Sequence, residues 1–447
     1  MMEYLPLIVF VVLFVLMFVL RMPIPTGMVT CCSMYFLVDG LCKGYGFGEM
    51  VLGNAGQLHL VAQKTIEAIF TNGTIVAVPL FVFAANLMNT STVTDYIFGF
   101  CEGLVGRFRG GMAHVNVLNS LVFSGMTGSA IADATGIGAL EIEVMKKQGY
   151  EPEFACAMTA SSATIGPIFP PSIPMVVYSM LTGASVGALF MAGMVPGVLL
   201  AGFLCIYVAI IARKRNYPRS APISLRNYLK FLVKAVWALL TPVILLGGIY
   251  TGVVTPTEAG AVAGLYTILV SVLIYKTLGM KQLKDILFDT VKGTGGVTIM
   301  IGAASAISFI FAKEGLGVTL GNLILDICSN KYSFLIMVNL VLLLLGMFID
   351  TSVIQLVMIP ILWPVAHQLG IDVVHFGLIF TFNTMLGLST PPFGMLLFIT
   401  SSVSGTPLKK IVKEIMGPIL VMLLELILIT FVPDVCLFLP KMFGLMS

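Results

Sequence analysis

Charge is what this sequence has least of. Of its 447 residues only 10% are Asp, Glu, Lys or Arg, against 58% that are hydrophobic, and the mean hydropathy is +1.04. A soluble domain carries about 25% charged residues to coat its surface. A soluble enzyme, a nucleic-acid binder and a disordered chain are therefore excluded, and the net charge of +3 is too small to imply an anionic polymer as partner. The eight cysteines form no CxxC or metal-ligand spacing and read as packed thiols. The four histidines show no HExxH, so zinc chemistry has no basis. No GxxxxGK[ST] occurs, so ATP does not act through this chain. The first 20 residues lack a basic leader and an A-x-A site, and read as a first membrane span rather than a cleaved signal.

What is present is apolar sequence in runs that approach the roughly 20 residues needed to cross a bilayer. These runs predict an all-α polytopic membrane protein with spans near 4–20, 23–41, 70–90, 184–212, 236–254, 257–275, 294–312 and 417–437. Segments 48–66, 92–108, 222–235, 280–290, 315–328 and 406–416 are shorter or amphipathic and suit interfacial helices. The 27 methionines read as lipid-facing and packing residues.

The few basic residues are unevenly placed. With the N-terminus outside, nineteen of the 24, including Arg21, Arg107, Arg109, Lys146, Lys147, the run from Arg213 to Lys234 and Lys409 to Lys413, fall on the inner side. Lys43, Lys64, Lys313, Lys331 and Lys441 fall outside. The positive-inside bias supports that orientation, provided 110–147 and 333–368 each enter and leave on one side, as re-entrant hairpins do. A helix over 110–126 would reach about 25 Å into the membrane before turning at Thr127-Gly128-Ser129.

An internal echo recurs at an offset of 221 residues. Gly125-Met126 returns as Gly346-Met347, Gly149 as Gly370, and Gly166-Pro167-Ile168-Phe169-Pro170-Pro171 as Gly387-Leu388-Ser389-Thr390-Pro391-Pro392, with no gap between landmarks. Under the orientation above the two halves face opposite ways, as in the inverted repeats of secondary transporters. Each half then holds a hairpin tip and a helix broken at a Pro-Pro pair, because proline lacks the amide hydrogen and restricts its predecessor. The carbonyls freed at Gly166, Phe169, Gly387 and Ser389 need a buried or cavity-lining position. With the hydroxyls of Thr127, Ser129, Ser352 and Thr390 they form hard oxygen donors suited to a small cation such as Na⁺. Half-helix N-termini there favour an anionic group.

Asp133 and Asp350 follow or occupy the tips. Each is open to two readings, a charge supporting a bound cation or the N-cap of the returning helix. Glu258, in Thr255-Pro256-Thr257-Glu258, reads as an N-terminal helix charge. Glu141 and Glu143 read as interfacial, and His367 and His375 as solvated or interfacial.

Three segments carry a family resemblance: Gly128-Ser129-Ala130-Ile131-Ala132-Asp133, Gly166 to Pro174, and Thr255-Pro256-Thr257-Glu258-Ala259-Gly260-Ala261. They, with Gly387 to Gly394, resemble signatures of the large membrane subunit of the tripartite ATP-independent periplasmic (TRAP) transporters, of the ion-transporter superfamily. The likeness runs from about residue 5 to 437. It implies a sodium-coupled elevator in the bacterial inner membrane, with no enzymatic activity and Na⁺ as coupling ion. It implies scaffold segments at 1–109, 183–332 and 406–447, the last two with an arm helix each, and a moving transport unit built from 110–182 and 333–405. Carried onto this chain, one Na⁺ site maps to Thr127, Ser129, Gly166, Phe169 and Pro171. The other maps to Phe348, Ser352, Ser389, Thr390 and Pro392, with Asp133 and Asp350 as supporting acids. Ser129, Ser172, Thr351 and Thr390 would contact a substrate carboxylate. The implied partners are a small four-helix membrane subunit, a periplasmic solute-binding protein, a small organic acid and the lipid bilayer. A stand-alone sodium/dicarboxylate symporter of the same superfamily is the alternative. An intramembrane aspartyl protease is disfavoured because neither aspartate lies in GxGD, and a channel because broken-helix repeats point to alternating access.

Overall fold

The computed structural model describes residues 5–20, 22–46, 58–71, 73–88, 91–220, 224–328 and 330–445. Every regular element among them is a helix. Seven are long and apolar enough to cross a membrane: 24–42, 186–214, 225–250, 256–274, 280–313, 351–368 and 408–431. Arg21, residues 48–57 of the expected interfacial segment 48–66, and the first two residues of 222–235 lie outside the described residues.

The N-terminal part comprises α1 (Leu5–Val19), α2 (Ile24–Cys42), α3 (His59–Thr71), α4 (Ala77–Met88) and α5 (Ser91–Val105). The expected span 70–90 is divided: α3 stops at Thr71, a 3-10 turn occupies Gly73–Val76, and α4 is only 12 residues long. Next come α6 (Gly111–Thr127), α7 (Ala130–Thr135), α8 (Ile137–Lys147), α9 (Pro152–Ser162) and α10 (Ile173–Thr182). The middle holds α11 (Val186–Lys214), α12 (Leu225–Tyr250), α13 (Pro256–Leu269), α14 (Met280–Lys313) and α15 (Leu316–Ile327). The chain ends with α16 (Lys331–Gly346), α17 (Thr351–Gln368), α18 (Val373–Leu388), α19 (Met395–Ser404), α20 (Leu408–Phe431) and α21 (Asp434–Met442).

Three segments expected at the interface are instead the first turns of long helices. Residues 225–235 belong to the 26-residue α12, 280–290 to the 34-residue α14 and 408–416 to the 24-residue α20. No breaker separates the amphipathic part from the apolar part, so hydrogen bonding continues through. Ser224 starts α12 by accepting from the Asn227 amide. The last expected span also ends early, at Phe431, because Pro433 interrupts it before α21.

Local conformations recur at the 221-residue offset. Gly149 and Gly370 both have positive φ, +91° and +68°, and both Pro170–Pro171 and Pro391–Pro392 are cis. The helices leaving the two tips start at Ser129 and Asp350, again 221 apart, each side chain accepting a backbone amide.

Packing places these segments at the centre. The larger buried cluster takes residues from α6 to α11 and from α16 to α20, including Phe123, Phe154, Tyr178, Phe190, Phe334, Phe376 and Phe380. A second cluster joins α1, α2 and α14 through Phe10, Met28, Tyr35, Phe36 and Ile307. Long helices leave apolar side chains outward, such as Val198, Ile206 and Ile210 on α11 and Leu420, Leu424 and Ile427 on α20, as lipid contact requires.

Candidate functional site

The first tip is built by a glycine. α6 ends at Thr127, Gly128 turns the chain at φ +59°, and Ser129 caps α7 through the Ala132 amide, 3.4 Å away. A Cβ on Gly128 would lie 2.3 Å from the carbonyl oxygen of Pro171, so only glycine allows this contact between tip and break. At Gly166 a Cβ would meet the Ser129 carbonyl carbon at 3.4 Å. Ser129, Gly166 and Pro171 therefore converge although 42 residues of sequence separate the outermost pair. Among the described residues no amide or hydroxyl donates to the carbonyls of Gly166, Phe169 or Pro171, while the neighbouring Pro167 oxygen accepts from Ser172 Oγ at 2.5 Å.

At the second tip α16 ends at Gly346, whose Cα packs directly on Gly387, leaving no room for a side chain on either. The Gly394 amide donates to the Met347 carbonyl at 3.1 Å, tying this tip to the second break. The carbonyls of Phe348, Ser389 and Pro392 receive no donor among the described residues. Gly387 departs from expectation, because its carbonyl accepts the Thr390 amide at 2.9 Å in the helix's last turn.

Both tips open onto one cavity of about 460 Å³. Thr127 to Ala132 form one side and Asp350, Thr351 and Ser352 another, with Pro167, Ile173 and Pro174 of the first break and Met385 and Leu388 beside the second. The facing wall is Val78, Val82, Ala85 and Asn86 of α4 with Gly293, Thr294 and Val297 of α14. Asn86 donates to Thr290 Oγ1 at 3.1 Å, linking the two wall helices. Thr351 is buried with its hydroxyl unpartnered among the described residues, and so is the amide of Gln355 one turn later.

The remaining site candidates divide by where their side chains go. Ser129, Thr127, Thr351 and Ser352 line the cavity. Ser172 is fully buried and caps α10 through the Met175 amide. Ser389 and Thr390 direct their hydroxyls to the Leu386 carbonyl, at 3.0 and 2.7 Å. Phe348 packs at 5.1 Å, its ring tilted by 50°, against Phe393 and lines a separate apolar cavity of about 260 Å³.

The two aspartates are not alike. Asp350 is the N-cap of α17, accepting from the Ser352 amide at 2.9 Å. Asp133 is not a cap, since Ser129 holds that place. It is 3% exposed and, among the described residues, neither carboxylate oxygen accepts a hydrogen bond, the Ser120 hydroxyl being the polar group that faces it. Glu258 forms a capping box with Thr255, as an N-terminal helix charge.

Two expectations are corrected. Glu141 is fully buried, accepting from Asn116 at 2.6 Å and Asn119 at 2.7 Å, while Asn116 also engages Thr159 and Ser162. Proximity to Lys146 and Lys147 suggested the interface, but the helix period turns Glu141 inward and leaves Glu143 outside to pair with Lys147 at 2.6 Å. His375 is also buried, its Nε2 2.7 Å from the Ile429 carbonyl. Sequence reasoning missed Gln355 and Glu425. Glu425 is wholly buried with both oxygens unpartnered among the described residues, and the available signal was an acid in the otherwise uncharged stretch 415–431 that ends a 24-residue helix.

The family model described as "Tripartite ATP-independent periplasmic transporter, DctM component" matches residues 10–435. The chain is 40% identical over 394 residues to the sialic acid TRAP transporter large permease protein SiaM of Vibrio cholerae, covering 88% of this chain and 92% of that one. It is 37% identical over 372 residues to the C4-dicarboxylate TRAP transporter large permease protein DctM of Pseudomonas aeruginosa, covering 83% and 87%. Among solved structures, the YdaH transporter of Alcanivorax borkumensis is similar in fold, with a TM-score of 0.65 at 14% identity, covering 92% of this chain and 98% of that one.

Proposed function

The chain belongs to the DctM-component family of tripartite ATP-independent periplasmic transporters, and from that premise we propose that it is the large permease subunit of a sodium-coupled importer of a small organic acid. It is a multi-pass membrane transporter subunit, not an enzyme. The observation that carries the sodium-coupled reading is the cavity onto which both tips and the first break open, with Leu388 of the second break on its wall. The free carbonyls of Gly166, Phe169 and Pro171 would hold one Na⁺ with Thr127 and Ser129. Those of Phe348, Ser389 and Pro392 would hold a second with Ser352 and Thr390. Asp133 would act on the first site as a buried charge, and Asp350 on the second by fixing the start of α17.

A carboxylate in the cavity would meet the N-termini of α7, α10 and α17, whose exposed amides and dipoles favour an anion. Ser129 and Thr351 would contact it with their hydroxyls, while Ser172 would act from behind through the start of α10 that it caps and Thr390 through the end of α18, where its hydroxyl meets the Leu386 carbonyl. The matched caps and left-handed glycines at an offset of 221 residues support reading 110–182 and 333–405 as inverted halves of one moving unit. Residues 1–109, 183–332 and 406–447 would then form the scaffold of an elevator. The basic bias supports an inner-membrane orientation with the N-terminus outside. Partners would be a small four-helix membrane subunit and a periplasmic binding protein that delivers the substrate, with sialic acids and C4-dicarboxylates, named for its relatives, as first substrates to test.

The experiment is uptake into proteoliposomes holding the chain and its small subunit, with and without the binding protein. Labelled sialate or dicarboxylate should accumulate only with an inward Na⁺ gradient and the binding protein. Equal uptake with K⁺ replacing Na⁺ would refute sodium coupling. Transport of free substrate by the chain alone would favour a stand-alone symporter.

A further inference from the structure

Away from the cavity, the turns that follow α5 and α11 are clamped together by their backbones. The Gly110 amide donates to the Pro218 carbonyl at 3.1 Å and the Ser220 amide to the Gly106 carbonyl at 3.0 Å. Glycine makes the approach possible, since a Cβ on Gly110 would sit 2.5 Å from that of Ala212. The clamp brings Arg107, Arg109, Arg213 and Arg219 around a pocket of about 540 Å³, with Phe108, Ala209 and His114 completing its lining. Among the described residues none of these four guanidiniums has a carboxylate within 4.0 Å, whereas nearby Arg215 pairs with Glu414 at 2.7 Å. The closest acid on α5, Glu102, faces Ser220 instead.

Four unpaired arginines on a fixed backbone make a receptor for a phosphate, which guanidinium binds through two parallel hydrogen bonds. The surroundings say which kind. Arg213 continues a stripe on α11 whose earlier members, Ile206 and Ile210, are 59% exposed. Arg107 also borders a second cleft of about 300 Å³ lined by Leu104, Leu225 and Tyr228. Apolar surface thus leads into the basic pocket along two helices, as acyl chains lead to a headgroup. We propose that this pocket binds the phosphate headgroup of an anionic phospholipid on the basic face of the protein, its acyl chains lying against Ile206, Ile210 and Leu104. Basic pockets between helices near the membrane surface bind such headgroups.

The test uses the full chain, delipidated in a neutral detergent and titrated with phosphatidylglycerol or phosphatidylcholine, with bound lipid counted by native mass spectrometry. Phosphatidylglycerol should be preferred by tenfold or more, and each of Arg107→Gln and Arg219→Gln should reduce that preference by about fivefold. The fourfold Arg→Gln variant should bind the two lipids alike, and the single variants decide the matter if it does not fold. Lys281→Gln with Lys284→Gln, exposed on α14, should leave the preference intact. Equal binding of the two lipids by the unaltered chain would overturn the proposal. So would an undiminished preference in Arg107→Gln and Arg219→Gln, or displacement of the lipid by millimolar inorganic phosphate, which would make this a site for a free phosphate. A photo-crosslinker in place of Phe108 should capture lipid, and capture of a protein there would also overturn it.

Discussion

Replacing Gly128 with alanine tests whether the contact between the first tip and the first break holds a cation. The new Cβ would lie 2.3 Å from the Pro171 oxygen, so carbonyl and tip must separate by about 1 Å to reach ordinary contact. Two costs are mixed in that change. The left-handed backbone at φ +59° penalises any side chain by about 1–2 kcal/mol, and the displaced carbonyl is lost to the ion. Gly183 separates them, because it has φ +76° but nothing within 4 Å of a Cβ. Gly183→Ala should lower the thermal stability of the purified chain and leave the sodium requirement of uptake unchanged. If an ion–carbonyl contact matches a hydrogen bond to a charged group, about 1.5–3 kcal/mol, its loss weakens binding roughly 10- to 150-fold. Gly128→Ala should therefore raise the Na⁺ concentration for half-maximal uptake at least about tenfold. A wild-type sodium curve for Gly128→Ala, or an equal shift for Gly183→Ala, would refute the reasoning.

Other substitutions probe the same region. Ser129→Ala and Thr390→Ala should each weaken the sodium dependence of uptake without loss of membrane insertion, as read by flux and by surface expression. Ser129→Ala should also cost about 1 kcal/mol through its lost cap. Asp350→Asn keeps an oxygen for the Ser352 amide and should transport nearly as well as the native chain. Asp350→Ala should not, and equal flux in the two would remove the cap from the explanation. Glu141→Leu strands the amides of Asn116 and Asn119 and should lower stability by about 2–4 kcal/mol, with Glu141→Gln losing less in the same thermal unfolding assay.

What was legible in the sequence were features that depend on backbone chemistry. Pro-Pro pairs and glycines constrain the chain wherever they stand, so helices are interrupted within the expected tips 125–133 and 346–352 and the expected breaks 166–172 and 387–394. The spans 184–212 and 257–275 match α11 and α13 with its π-helical end within a few residues. What failed depended on the far side of a helix. Segment 280–290 looks amphipathic alone, but nothing in it ends a helix, and α14 continues through. Glu141 differs from Glu143 by two positions, enough on a helix to exchange an exposed pairing with Lys147 for a pair of buried amides. The direction of the Ser389 and Thr390 hydroxyls was out of reach, because it is set by which carbonyl lies nearest after the chain has turned.

The wall opposite the two tips has a mechanical consequence. It presents Val78, Val82 and Ala85 from α4 and Gly293, Thr294 and Val297 from α14, and a Cβ on Gly293, Gly295 or Gly296 would touch nothing within 4 Å. Such a surface has shallow corrugation. Its side-chain hydrogen bonds, Asn86 to the Thr290 hydroxyl and Thr294 to the Thr290 carbonyl, join the wall to itself and, among the described residues, do not reach the tips. A body moving across it would trade one set of weak, undirected contacts for another nearly equal, so friction there stays low. In the elevator proposed above, resistance to motion would then come from what the tips carry, and the load, rather than the rail, would set when they travel.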